Sequence, residues 1–386
     1  MPRGRMKHSG SWLVFGAALA SALSIGCTRA SSRLDPGRAA AFLTTYADIA
    51  AASYGAAVSD ARALSASIDA FVQQPSDPGL RAARAAWVSA RRSYMQTEAY
   101  RFYGGPIDSL ELLVNTWPID ENYLESEDGQ TGIVADELHS PVITPSVLAA
   151  LNLKEGETSV STGYHAIEFL LWGRDRSATG PGDRAFHDYD TAAHSRRRGE
   201  YLRVAAALLL ESLSTVEAAW KGPYRAAFLA QPPDQALALA LKGLGTLSAG
   251  ELLGERLTVA YETRAQENEH SCFSDNTHED LAFDMVGVQN VCLGRYANVV
   301  RGVGLVELVR SGNAALAAEL QRKVNAAVAA VSAIPAPFDQ AIAGDDAAPG
   351  RRAIQRAMIA LRGEADTLAK VAAAFNLPQP VADQAP

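Results

Sequence analysis

Alternating apolar and polar runs rich in β-branched residues are scarce in this chain of 386 residues, which argues against a sheet-based fold. An excess of basic residues is also missing, since 35 Lys and Arg stand against 43 Asp and Glu, so nucleic acid is not an expected partner. Residues 1–26 hold three basic residues and no acidic one, and the remainder carries a net charge of −11. Such a surface concentrates cations around itself. Cysteine is nearly absent, with only Cys27, Cys272 and Cys292. No G-x-S-x-G, P-loop or C-x-x-C-H haem attachment occurs. "HEDLA" at 278–282 ends in alanine where a zinc-protease helix would place its second histidine.

What is present begins with Arg3, Arg5 and Lys7, the apolar run "WLVFGAALASALSIG" and Cys27, the layout of an export signal. "LSIGC" resembles a lipobox, so the expectation is cleavage after residue 26 and lipidation of Cys27, anchoring the protein to the outer membrane and facing the periplasm. An ordinary signal peptide cleaved nearby, or an uncleaved anchor, is the alternative. Export permits a disulfide between Cys272 and Cys292. Two free buried thiols satisfy the sequence equally.

Alanine and leucine dominate and apolar residues recur at three and four, which predicts an all-α fold. Helices are expected over 36–74, 76–102, 159–172, 191–220, 234–268, 277–293, 303–333 and 350–375, with a long irregular insertion over 104–158. The length suggests two helical bundles in series, 36–200 and 201–375, after a linker at 27–35 and before a tail at 376–386. "AIEFLLWG" (166–173) and "GVQNVCLG" (287–294) form a faint internal echo in which Gln289 aligns with Glu168 and Val286 with His165. If the echo reflects pseudo-symmetry, the second copy lacks the polar pair and each chain has one site.

That pair lies in "STGYHAIEFLLWG" (161–173), a segment apolar nearly all round. A glutamate there must be paired, protonated or metal-bound. Residues three apart share a helix face, and imidazole with carboxylate suits iron, zinc or manganese. A buried His–Glu hydrogen bond that locks helix packing would use the same residues. Trp87, Arg91, Tyr94, Glu98 and Arg101 fall at steps of four, three, four and three, an aromatic and charged stripe that nominates Glu98 as a third ligand. A pair between Glu98 and Arg101 or Arg91 is the alternative. In "ENEHSCFSDNTHEDLAFD" (267–284), His270 and His278 add nitrogen donors, Asp280 and Asp284 project one turn apart, and Ser274 or Asp275 can cap a helix.

These motifs together resemble the imelysin family of exported bacterial proteins. Its G-x-H-x-x-E motif is matched by Gly163, His165 and Glu168, its "E-x-x-RF-x-GPID" region by "EAYRFYGGPID" (98–108) with one additional glycine, and its "FSDNT" element by 273–277; "NTWPID" (115–120) also fits. The resemblance implies paired helical bundles with a pocket near the His–Glu motif, residence in the periplasm or outer membrane, and association with iron acquisition. It makes His165, Glu168 and Glu98 the candidate ligands of a divalent or trivalent ion, iron or zinc. Gly163, Arg101, Ser274, Asp275, Asn276 and Thr277 become candidate pocket residues. A metal ion or metal chelate is then the expected ligand, and envelope iron-uptake proteins are the expected partners. An envelope metallopeptidase is the alternative activity, with no catalytic residue assigned, because water activation needs a base beyond the ligands. A scaffold with a purely structural pair is the third reading.

Overall fold

The computed structural model describes residues 34–136 and 142–380. Cys27 and the expected export signal lie outside the described residues. Eight helices of ten residues or more form the frame: α1 (Pro36–Gln73), α2 (Asp77–Met95), α3 (Gly163–Trp172), α4 (Ser195–Lys221), α5 (Pro233–Thr263), α6 (Thr277–Leu293), α7 (Ala314–Ser332) and α8 (Pro349–Ala374). The fold is all-α.

Local chemistry sets the helix ends. Asp35 accepts hydrogen bonds from the Gly37 and Arg38 amides at 2.8 and 3.0 Å, and Pro36 occupies the first turn where no amide is needed. Ser76 caps α2 in the same manner. The 38 residues of α1 extend about 57 Å, long enough to carry both α2 and α4. Tyr46 on α1 packs against Tyr100, Trp220 and Phe228, so the aromatic centre of this half joins segments distant in sequence. In the other half α7 packs on both α6 and α8. α6 also lies against α2, and this contact brings the second half of the chain to the site.

Several expected boundaries move. α2 ends at Met95 rather than near 102, because the Thr97 amide and hydroxyl both bond the Tyr94 carbonyl, at 2.7 and 2.6 Å, and tighten the chain into a turn. Glu98–Tyr100 follows as a single 3₁₀ turn, so Glu98 and Arg101 leave the stripe that Trp87, Arg91 and Tyr94 keep. α3 begins at Gly163, four residues later than expected. The 303–333 helix is two, Leu305–Arg310 and Ala314–Ser332, with Asn313 capping the second through the Leu316 amide at 3.0 Å. A small hairpin pairs Arg295–Tyr296 with Val299–Val300 across left-handed Ala297 and Asn298. The division expected after residue 200 falls inside α4, which packs on α1, and the described residues form one compact unit.

Within α5, residues Thr246–Thr258 adopt a π-helical conformation. Gly250 and Gly254 lie in this stretch, and their weak helical preference lowers the cost of widening it. From this stretch Arg256 reaches Glu98 at 2.8 Å and Glu251 at 3.4 Å.

Candidate functional site

Every residue of α3 is buried. Its first residue, Gly163, has φ +79°, and a Cβ there would stand 2.4 Å from the Val114 carbonyl oxygen. Only glycine tolerates both the left-handed backbone and the close approach. The Trp87 indole donates to the Tyr164 carbonyl at 2.9 Å, and the Tyr201 hydroxyl donates to the Ser161 carbonyl at 2.8 Å. α3 is therefore pinned at its N-terminal end, where His165 emerges.

His165 Nδ1 and Glu168 Oε2 are 3.0 Å apart. The other carboxylate oxygen of Glu168 accepts from the Ser274 amide at 3.0 Å and from its hydroxyl at 2.7 Å. Both oxygens are thus engaged, and "GYHAIE" is tied to "FSDNT" across more than 100 residues of chain. Burial raises Glu168 to about 8 although Ser274 and Arg91 pull it down. Burial pushes the His165 imidazole well below its ordinary value, and Arg91 and His270 push the same way. At neutral pH the carboxyl therefore keeps its proton beside a neutral imidazole. Once Glu168 gives up that proton, Nδ1–H can face the carboxylate and Nε2 presents a lone pair; Nε2 is buried and has no hydrogen-bond partner among the described residues.

A second imidazole stands beside the first. The His165 and His270 rings lie 4.9 Å apart, edge to face. His270 Nδ1 is 2.9 Å from Asp280 Oδ2. Asp280 is the hub of this half of the site: Arg91 reaches both its oxygens, at 2.6 and 3.2 Å, while Ser271 and Asn276 donate at 2.6 and 3.1 Å. Burial would raise Asp280, but Arg91 and His270 together outweigh it and hold the carboxyl well below the usual range. Burial and then Arg256 bring His270 down to about 3 against the opposite pull of Asp280. Both imidazoles are neutral at pH 7, as metal ligands must be. Arg91 also donates to the Asn115 side-chain oxygen and lies over the Tyr164 ring at 5.1 Å.

Glu98 does not join His165 and Glu168. Its Oε2 is claimed by Arg101 and by Arg256, the latter at 2.8 Å. Against the upward push of burial, those two guanidinium groups hold Glu98 at about 2. Arg256 also donates to Asp284 at 2.6 Å. Among the described residues no group of three His, Cys, Asp or Glu is placed to hold one metal ion, so the expected trio of His165, Glu168 and Glu98 is not a preformed ligand set. The shortened α2 is the reason, since it turns Glu98 towards the arginines.

Of the pocket candidates, Gly163 and Ser274 build the His–Glu pair, Asn276 serves Asp280, and the Thr277 hydroxyl accepts from the Ser271 amide at 2.9 Å. Arg101 lines a cavity of about 170 Å³ together with Asn115, Trp117, Arg256 and His270. Asp275, left-handed at φ +55°, belongs instead to a group of acids with Asp339 and Asp175. His278 bonds the Asp275 carbonyl at 3.1 Å and does not reach the pair. Cys272 and Cys292 are free thiols, because Cys292 lies near the far end of α6 while Cys272 precedes its start. Arg256 was not anticipated by the sequence: nothing local in "GELLGERLT" distinguishes it from a surface arginine.

The site can be set beside known proteins. The imelysin family, also described as peptidase family M75, matches residues 50–368. Iron-regulated protein A of Synechococcus elongatus is 25% identical over 371 residues, covering 90% of this chain and 91% of that protein. The solved structure of a candidate iron-regulated protein A precursor from Parabacteroides distasonis superposes with a TM-score of 0.72 at 19% identity, over 89% of this chain and 96% of that one. An imelysin-like protein from Psychrobacter arcticum gives 0.64 at 15% identity, over 90% and 98%. These two likenesses support the all-α architecture, and the family match decides membership: the chain belongs to the imelysin family.

Proposed function

We propose that this imelysin-family protein binds a metal ion, or a ligand that carries one, at His165 in the service of iron uptake. One observation carries the reading: His165 Nε2 is a buried imidazole nitrogen with no hydrogen-bond partner among the described residues, on a ring whose other nitrogen is fixed by Glu168. An orphaned buried polar atom costs about 1–3 kcal/mol, and coordination by a first-row metal would remove that cost. Imidazole suits iron and zinc alike. The relatives from Synechococcus and Parabacteroides are named for iron regulation, which favours iron. Glu168, held by Ser274, would orient His165 and, by releasing its own proton as the metal binds, would keep Nδ1–H facing the carboxylate and Nε2 free to ligate. Metal content of protein purified with and without chelator tests the proposal: a chain that takes up no iron or zinc in either preparation would end it.

The proposal includes the envelope as its place of work. Arg3 to Cys27 have the order of a lipoprotein export signal, and an anchored periplasmic chain could pass metal or chelate to envelope uptake proteins. Cys27→Ser should move the protein from the membrane to the soluble fraction; retention in membranes would refute the anchor.

A further inference from the structure

His165 and Glu168 are 1% and 0% exposed, so whatever reaches them must pass another side chain. The ring contacts show which one. His165 lies 4.9 Å from His270, and His270 lies 5.8 Å from Trp117, each pair edge to face. The two imidazoles are buried and Trp117 is only half-buried, so the three rings form a series that runs from the His–Glu pair towards the surface.

Trp117 also lines two cavities. One, of about 350 Å³, it shares with Cys272 and Phe273, and the other, of about 170 Å³, with His270; His165 lines neither. The larger carries Asp120, Glu121, Asp175 and Glu267 against one arginine, Arg174, which is itself paired with Glu121, so it draws cations. The chain is fastened on each side of the Trp117 ring: the Asn115 side-chain oxygen accepts from Arg91, and the Asp120 amide donates to the Thr158 carbonyl at 2.7 Å. Between those ties Trp117 makes no hydrogen bond among the described residues. Its ring can swing without breaking one.

Resting on the reading of His165 as a metal donor, we propose that Trp117 is the gate of the site. Closed, its ring covers His270. Open, it joins the acidic cavity to His270 and, once that ring tilts, to His165. The entrant is a hydrated metal cation, which the carboxylates of the larger cavity attract and the closed rings keep out.

Diethyl pyrocarbonate tests the gate without any metal, because it acylates neutral imidazole at a rate set by access. The full, chelator-treated chain would be labelled at about pH 7.5, above the ordinary histidine range, and each histidine followed by peptide mass spectrometry. In the wild type His165 and His270 should label far more slowly than His187, whose side chain is 61% exposed. Trp117→Ala should speed both by about tenfold, the factor that one lost edge-to-face ring contact can supply, and leave His187 and the half-buried His278 unchanged. Trp117→Phe keeps a ring over His270 and should label as the wild type does. Unchanged rates at His165 and His270 in Trp117→Ala overturn the gate. A rise at all four histidines, which marks a loosened fold, overturns it too, as does a rise at His270 alone, which leaves the passage closed beyond that ring. Equal labelling of the two Trp117 variants overturns the role of the ring. Metal uptake is read separately, so a chain that labels as expected yet takes up no iron or zinc would refute the reading of His165 and keep the gate.

Discussion

Replacing Gly163 by alanine tests how the motif glycine sets the site. The substitution acts twice. It forces an L side chain to φ +79° and drives a Cβ to 2.4 Å from the Val114 carbonyl oxygen. The left-handed backbone costs about 1–2 kcal/mol, and the forced overpacking adds about 1–3 kcal/mol. Gly104 separates the two effects, because it has φ +78° and nothing within 4 Å of where its Cβ would stand. Gly104→Ala should therefore show the backbone cost alone. For about 350 folded residues, an unfolding entropy of about 0.7 kcal/mol per degree converts the totals to melting-temperature losses of about 3–7 °C for Gly163→Ala and about 1–3 °C for Gly104→Ala. Circular dichroism melts of both variants beside the wild type make the comparison. Two variants that melt within a degree of each other would refute the claim that Val114 closes on Gly163.

Elsewhere, Glu364 is buried in α8 and raised to about 8 by desolvation, with Ser248 offsetting part of the rise. The folded chain therefore keeps a proton that the unfolded chain releases from about pH 4.5, so this contribution is complete below pH 4.5 and is lost as pH rises to about 8, up to about 5 kcal/mol. Glu364→Gln should flatten that part of the profile and be the more stable form at pH 8, as urea unfolding across pH 5–9 would read; parallel profiles would contradict the placement. Arg91→Met leaves Asp280 buried without its cation and should cost about 3–5 kcal/mol, and adding Asp280→Asn should recover a substantial part. A loss under 1 kcal/mol in the single variant would show that the Arg91–Asp280 pair is not closed as described.

The helical architecture was legible because apolar spacing and capping are local. Asp35, Ser76 and Gly173 mark helix ends that the structure keeps within a residue or two, whereas neither Ser274 nor Asp275 caps α6: its cap position falls on Asn276 without a side-chain bond, and Ser274 is taken by Glu168. The tight turn after Met95 was not legible, since Thr97 folding back on Tyr94 competes with a helical pattern that continues through Arg101. Glu98 was misassigned as a consequence. His165, Glu168 and the "FSDNT" turn were each visible, but the bond from Ser274 to Glu168 spans the fold and leaves no periodic trace. Asp280 was seen as a residue on a helix face. Its role as the hub for Arg91, His270, Ser271 and Asn276 depends on the packing of α6 on α2, and that of Arg256 depends on its reach from α5 to Glu98. What the sequence hid is what tertiary contact alone creates.

The most direct test of a metal at His165 is thermal unfolding of the wild type and His165→Ala, each with and without added Fe(II), Fe(III) or Zn(II). At a hundredfold excess over its dissociation constant, a ligand of the folded state adds about 2.7 kcal/mol, which for a chain of this size raises the melting temperature by about 4 °C. The wild type should show that rise and His165→Ala should lose it, whatever the variant's own melting point. Equal rises in both proteins would contradict the account and leave His165 and Glu168 as a packing pair.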